Sequence, residues 1–395
     1  MIITAVLAAV VLVGGAVTAA VFIKNDDAPA VAGDPGPADG DILEQRTSPE
    51  GVRYGDLAVI DACTLMPVTL LEETGFGDVA HGLHSQTFVP KSVRATAEDA
   101  SDGISSCRYD VVKPGRTEFL NVTVQQAPFN DPLPAQVIGN AVAKTIGGLR
   151  AFVDPKKDPG DYFTRVYSVD GRTAVLVHAS NLGDNKGFDH ETAHAALVEK
   201  IALNLAAAPK EQTRFAYTGR YEDVPAACDV LTDAFFEQVS QAKDSGVVQA
   251  EFWANEMRKE FPQSKTETQY AFVTSQMCQR SSPEWLMRER GVSLKMELSI
   301  HRDAAMVAIN EPDCAQDSAA RQALGKATPS QEKVGDADAC VFPIGDSLVY
   351  SFTAGRTQVR LTPYGPWASK APEEFIGKFT PVAQKAADEV RKAIG

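Results

Sequence analysis

A chain of 395 residues with 44% hydrophobic side chains is too long for one ordinary domain and apolar enough to bury two cores. Its formal net charge of -14, from 52 acidic against 38 basic side chains, would repel phosphates, so no nucleic-acid partner is expected. It has no Gly-x-Ser-x-Gly elbow, phosphate-cradling glycine loop or dinucleotide fingerprint, and no cofactor is implied.

Met1 to Ile23 carries no charged side chain. At 1.5 Å per residue the run Ile2 to Ile23 reaches about 33 Å, enough to cross a hydrocarbon core. Residues 1–24 therefore read as a transmembrane anchor contacting the cell membrane through 1–23, the alternative being a cleaved signal peptide. The Ala, Asp, Gly and Pro content of 25–51 predicts a disordered tether. The body then divides into a module over 52–208, a polar linker over 209–218 and a second module over 219–395.

The division rests on self-similarity. Arg53-Tyr54-Gly55-Asp56 leading into Ala62-Cys63 is answered by Arg220-Tyr221-Glu222-Asp223 leading into Ala227-Cys228. Val166-Tyr167-Ser168 with Gly171-Arg172-Thr173 is answered by Val349-Tyr350-Ser351 with Gly355-Arg356-Thr357. After each first cysteine a short helix is expected, with Pro67 at its start and Gly75 at its end in module one. Leu120, Val122 and Val124 alternate with polar residues, as do Leu294, Met296, Leu298 and Ile300, predicting half-buried strands. Short helices are expected around 135–147 and 315–324. Hairpins follow, with strands 165–169 and 173–178, then 348–352 and 357–362. Amphipathic helices over 190–207 and 373–394 close the modules. The fold class is thus α+β: two tandem antiparallel-sheet/helix sandwich modules after one N-terminal transmembrane helix. Phe252, Trp253, Met257 and Phe261 lie near helical spacing within 250–261.

Six cysteines with no Cys-x-x-Cys pair, Cys63, Cys107, Cys228, Cys278, Cys314 and Cys340, fit disulfides and hence an extracytoplasmic body. The last two form an extra pair peculiar to module two. Lys24, the one cation flanking the apolar run, weakly favours the opposite orientation. Asp61-Ala62-Cys63-Thr64-Leu65 with Cys107-Arg108-Tyr109 resembles a group of actinobacterial secreted and lipid-anchored domains of unknown function, and Ala227-Cys228-Asp229-Val230-Leu231 with Cys278 is similar to a looser copy. The resemblance implies a PsbP-like α/β sandwich in each half and a first-to-second cysteine disulfide. Gln279-Arg280 departs from the aromatic expected after the second cysteine.

His190-Glu191-Thr192-Ala193-His194 matches the metallopeptidase pattern in which His190 and His194 bind zinc and Glu191 acts as base. Against it, the closing helix of module two aligns Phe379 and Ala383 with these histidines, and Asp189 reads as an ordinary helix cap favouring Glu191 in the first turn. No third ligand is well spaced. His81 and His84 read as loop residues. Arg172-Thr173 and Arg356-Thr357 read as turn-flanking residues or a repeated ligand-facing position. The function expected is binding of an unknown envelope protein or ligand by a single-pass membrane protein; a membrane-tethered zinc peptidase is the alternative.

Overall fold

The computed structural model describes residues 42–77, 82–94, 103–113, 116–128, 132–133, 141–154, 160–181, 188–262, 268–286, 291–304, 307, 330–334, 337–344, 347–365, 381, 384, 388 and 392. The anchor expected over 1–24, the helix expected over 315–324, nearly all of the 373–394 helix, and Cys314 lie outside them. Among the described residues no helix is long and apolar enough to cross a membrane.

The first half opens with strands β1 (Leu43–Ser48), β2 (Arg53–Tyr54) and β3 (Leu57–Ala58), then helices α1 (Ala62–Leu65) and α2 (Val68–Glu73). Seven strands follow: β4 (Gly82–Phe88), β5 (Gly103–Lys113), β6 (Arg116–Gln126), β7 (Val142–Ile146), β8 (Leu149–Val153), β9 (Asp161–Tyr167) and β10 (Thr173–Asn181). Helix α3 (His190–Ala206) and strand β11 (Gln212–Tyr217) lead to the second half. There α4 (Ala227–Val230) and α5 (Asp233–Ser240) precede β12 (Val248–Trp253), β13 (Met257–Pro262) and β14 (Thr268–Ser281). The remaining elements are α6 (Pro283–Leu286), β15 (Ser293–His301), β16 (Ser330–Val334), β17 (Ala337–Ile344), β18 (Ser347–Ala354) and β19 (Thr357–Tyr364).

The fold is α+β, dominated by one antiparallel sheet of fifteen strands. Its order is β16-β17-β18-β19-β15-β14-β12-β4-β5-β6-β10-β9-β8-β7, with β13 paired to the other end of β14. Outward from the centre, β4-β5-β6-β10-β9-β8-β7 on one side follows the same connection pattern as β12-β14-β15-β19-β18-β17-β16 on the other. The two innermost strands pair directly, Phe88 opposite Val248 and Gln86 opposite Ala250. Each would otherwise be an open sheet edge, and the pairing removes both.

Apolar residues select the inner face. Leu120, Val122 and Val124 of β6 and Leu294, Met296, Leu298 and Ile300 of β15 are all fully buried, while Lys295 and Glu297 project from the opposite face into partial exposure. The buried side chains of both halves join in one hydrophobic cluster that includes Cys63, Val122 and Leu197 together with Cys278, Met296 and Phe352. Two separate sandwiches with separate cores are thus replaced by a shared sheet with a shared core.

Four further expectations are corrected. Leu43–Ser48, assigned by composition to the tether, and Gln212–Tyr217, assigned to the linker, pair as antiparallel strands β1 and β11 across the junction of the halves. In Gln212–Tyr217 the buried Thr213, Phe215 and Tyr217 alternate with the less buried Arg214 and Ala216, while Leu43–Ser48 fully buries no side chain, so average composition reads both as linker. The aromatic stripe at 250–261 belongs to β12 and β13 rather than a helix: Val248, Ala250 and Phe252 point inward and Trp253 outward. Val142–Ile146, expected to be helical, is strand β7, paired with β8. Tyr167 pairs with Ala174, whose counterpart after the aligned Gly-Arg-Thr turn is Gln358; that residue pairs with Thr353, not Tyr350. The Val-Tyr-Ser repeat is therefore out of register by three positions (353 minus 350), because the first hairpin has the longer turn.

The short helices after the first cysteines are held by matching devices. A four-residue helix cannot stand alone, since its nucleation cost outweighs its few internal bonds. Disulfides Cys63–Cys107 and Cys228–Cys278, each with Cα atoms 5.0 Å apart, tie α1 to β5 and α4 to β14. The Ala62 N–H donates to Ser105 Oγ at 2.9 Å and the Ala227 N–H to Gln276 Oε1 at 2.9 Å, each acceptor lying two residues before the second cysteine. Two residues after it, Tyr109 Oη donates to the Met66 carbonyl at 3.0 Å and Arg280 Nε to the Leu231 carbonyl at 2.5 Å. The departure at Gln279-Arg280 is thereby explained: Arg280 supplies the donor that the aromatic Tyr109 supplies in the first half.

Candidate functional site

The His-Glu-x-x-His residues lie where α3 begins. Asp189 caps the helix, accepting from the Thr192 N–H at 3.1 Å. Glu191 is exposed, whereas His190 and His194 turn inward. His190 stacks on Tyr162, meets Phe188 edge-on, and holds Nε2 3.5 Å from Glu118 Oε1. His194 packs against Tyr162, and burial lowers its pKa to about 4, so the ring is neutral near pH 7. Its Nε2 has no hydrogen-bond partner among the described residues. No group of three His, Cys, Asp or Glu side chains able to hold a metal ion occurs among the described residues. Two of the motif's three residues thus edge the core and the third faces away from them. His84, expected in a loop, is buried in β4 between the rings of Tyr109 and Phe215, and His81 lies outside the described residues.

The repeated arginines find the repeated aspartates. Arg172 reaches both carboxylate oxygens of Asp56 at 2.7 and 2.9 Å, and Arg356 pairs with Asp223 and with the Arg220 carbonyl. Each hairpin turn is clamped onto the motif that opens its own half. The Arg172 guanidinium holds the Asp56 carboxyl below the usual carboxylate range. Because both aspartates face solvent, water and salt screen each pair, and the clamps position the turns more than they stabilise the fold. Sequence reading missed this link although one Arg and one Asp recur in both motifs.

The most site-like feature is a cavity of about 450 Å³ between the halves. Its floor is the centre of the sheet, with Gln86 and Phe88 from β4, Ala250 and Phe252 from β12, and Gln276 from β14. One wall is β11, and the other runs from Val224 to the first turn of α4. Arg46 and Glu222, both exposed, stand at the rim.

In the strap formed by β1 and β11, the start of β11 is fastened to α1 but not to α4 among the described residues. Buried Asp61, the residue before α1, accepts from the Cys63 N–H at 3.0 Å and the Thr213 N–H at 2.6 Å. Thr64 Oγ1 lies 3.0 Å from Thr213 Oγ1, completing the attachment of β11 to α1. The corresponding residue before α4 is Ala226, which has no acceptor side chain, and it lines the cavity instead. Burial raises the Asp61 carboxyl pKa, opposed by Arg214 and by the donated hydrogen bonds.

Comparison with protein families, curated proteins and solved structures found no match to this chain. The site is therefore interpreted from its own residues. Of the cavity's lining, sequence reading singled out Cys228, as a disulfide cysteine, and Phe252, in the aromatic stripe, but neither arginine: Arg46 and Arg214 fell in segments read as tether and linker, and the β1–β11 pairing brings them together.

Proposed function

We propose that this chain is a single-pass cell-membrane protein, anchored by residues 1–23, whose disulfide-bonded body faces outward and acts by binding an envelope protein or ligand rather than by catalysis. The observation that carries this reading is the pair of bridges, Cys63–Cys107 and Cys228–Cys278, both tying a short helix to the central sheet. Such structural disulfides persist in oxidising compartments and are reduced in the cytosol. Cys314 and Cys340 are assigned here as a third bridge. Duplication of one sandwich, of the PsbP-like kind that the cysteine motifs resemble, accounts for the matching strand orders and the matching supports of α1 and α4. The binding reading is favoured by a cavity that combines aromatic and charged side chains within the usual size range of ligand sites.

Protease added to spheroplasts expressing the full chain with a C-terminal epitope is expected to destroy the epitope. An epitope degraded only after lysis would place the body inside and overturn the proposal.

A further inference from the structure

The strap carries an electrostatic conflict. Arg46 of β1 lies directly opposite Arg214 of β11, and both line the cavity. Like charges facing each other across an antiparallel pair are destabilising. Glu44 pairs with Arg46 at the exposed rim. Arg214 is less well served: among the described residues its one carboxylate contact is Asp61 Oδ2 at 3.4 Å, and that carboxylate already takes the Cys63 and Thr213 N–H groups. The contact to Asp61 and the bond to the Thr213 carbonyl both use Nη1. A guanidinium has five donors, and no described residue takes those of the Nε and Nη2 edge, which presents a fork that fits a planar anion. Burial lowers the guanidinium's pKa, and an added anion would offset that desolvation.

Beside this edge lies an apolar bed. The Arg214 guanidinium sits 3.7 Å from the centre of the Phe88 ring, which fixes its plane. Phe215 and Phe252 line the same space, with ring centroids 6.0 Å apart. Glu222 and Asp229 also line the cavity, so its charge does not favour every anion; the head group must reach the Arg46 and Arg214 side.

We propose that the cavity binds a small amphiphilic organic anion, its carboxylate-like head held between Arg46 and Arg214 and its apolar body against Phe215 and Phe252. The inference deepens the binding function by naming the ligand's chemical class.

The test is isothermal titration of the detergent-solubilised full chain with 4-phenylbutyrate and, separately, with its uncharged amide. One saturable site is expected, at least tenfold tighter for the anion than for the amide. Arg214→Gln should weaken the anion at least tenfold and the amide, which can accept only neutral hydrogen bonds there, by less than threefold, and Ala216→Trp, which fills the space beside Arg214, should abolish both. Should Arg214→Gln fail to fold because Asp61 loses its cation, the exposed Arg46→Gln supplies the same comparison, with an expected weakening of threefold or more. Equal affinities for the two probes, no saturable site for the anion, or anion binding indifferent to the arginine variants would overturn the inference. These outcomes are independent of the spheroplast assay: an outward body that ignores phenylbutyrate sinks only this inference, and binding by an inward body sinks only the location.

Discussion

Removing the Cys63–Cys107 bridge by Cys63→Ala with Cys107→Ala is expected to lower the unfolding free energy by about 4 kcal/mol, within the usual range of roughly 2 to 5. The bridge closes a loop with a sequence separation of 44, and its counterpart Cys228–Cys278 one of 50. Chain entropy rises only with the logarithm of loop length, so the two losses should be nearly equal. Cys63, Cys107 and Cys278 are fully buried, so no rearrangement offers the freed side chains a better environment. Denaturant titration of each double variant checks this. A loss below about 1 kcal/mol would mean that the core alone holds α1 and α4, contradicting the role given to the bridges.

An effect of similar size is expected at Glu256. Its carboxylate, almost wholly buried, receives both Nε and Nη2 of Arg302 and the hydroxyl of Tyr221. The Arg302 guanidinium lies 4.0 Å from the centre of the Phe272 ring, deep enough that water replaces a lost partner poorly. Glu256→Ala should cost about 3 to 5 kcal/mol, because the cation remains buried without its bidentate acceptor. The acceptor matters more than the pair as such, so Glu256→Ala combined with Arg302→Met should recover much of the loss. Thermal unfolding of the single and double variants separates the cases; a harmless Glu256→Ala would show that the site is wetter than its burial implies. The exposed Arg172–Asp56 clamp, by contrast, should be nearly silent in the same assay.

The sequence disclosed most of what is local. Strict alternation at 294–300 marked β15, the Asp170-Gly171 and Ala354-Gly355 turns marked both hairpins, and Asp189 with the Leu197, Ile201 and Leu205 stripe marked α3. Each signal depends on neighbours within one element. What escaped depends on distant partners. The β4–β12 pairing joins residues more than 150 positions apart, and nothing in Gly82–Phe88 or Val248–Trp253 marks one strand as the other's partner. The strap was hidden for another reason: Leu43–Ser48 and Gln212–Tyr217 gain their apolar contacts through few side chains, notably Phe215 and Tyr217, so their average composition reads as linker. The His-Glu-x-x-His pattern is ambiguous by itself, which is why it stood only as an alternative. Its spacing is a helix-face spacing, and it places histidines equally well against Tyr162 and Glu118 as around a metal.

The proposed location rests on the cross-linked cysteines Cys63–Cys107 and Cys228–Cys278. Its most direct test is alkylation of the unreduced full chain, extracted from its native cells under denaturing conditions, followed by peptide mapping. Cys63, Cys107, Cys228 and Cys278 should all escape modification and appear as two linked peptide pairs, 63 with 107 and 228 with 278. Alkylated thiols at both Cys63 and Cys107 would contradict it.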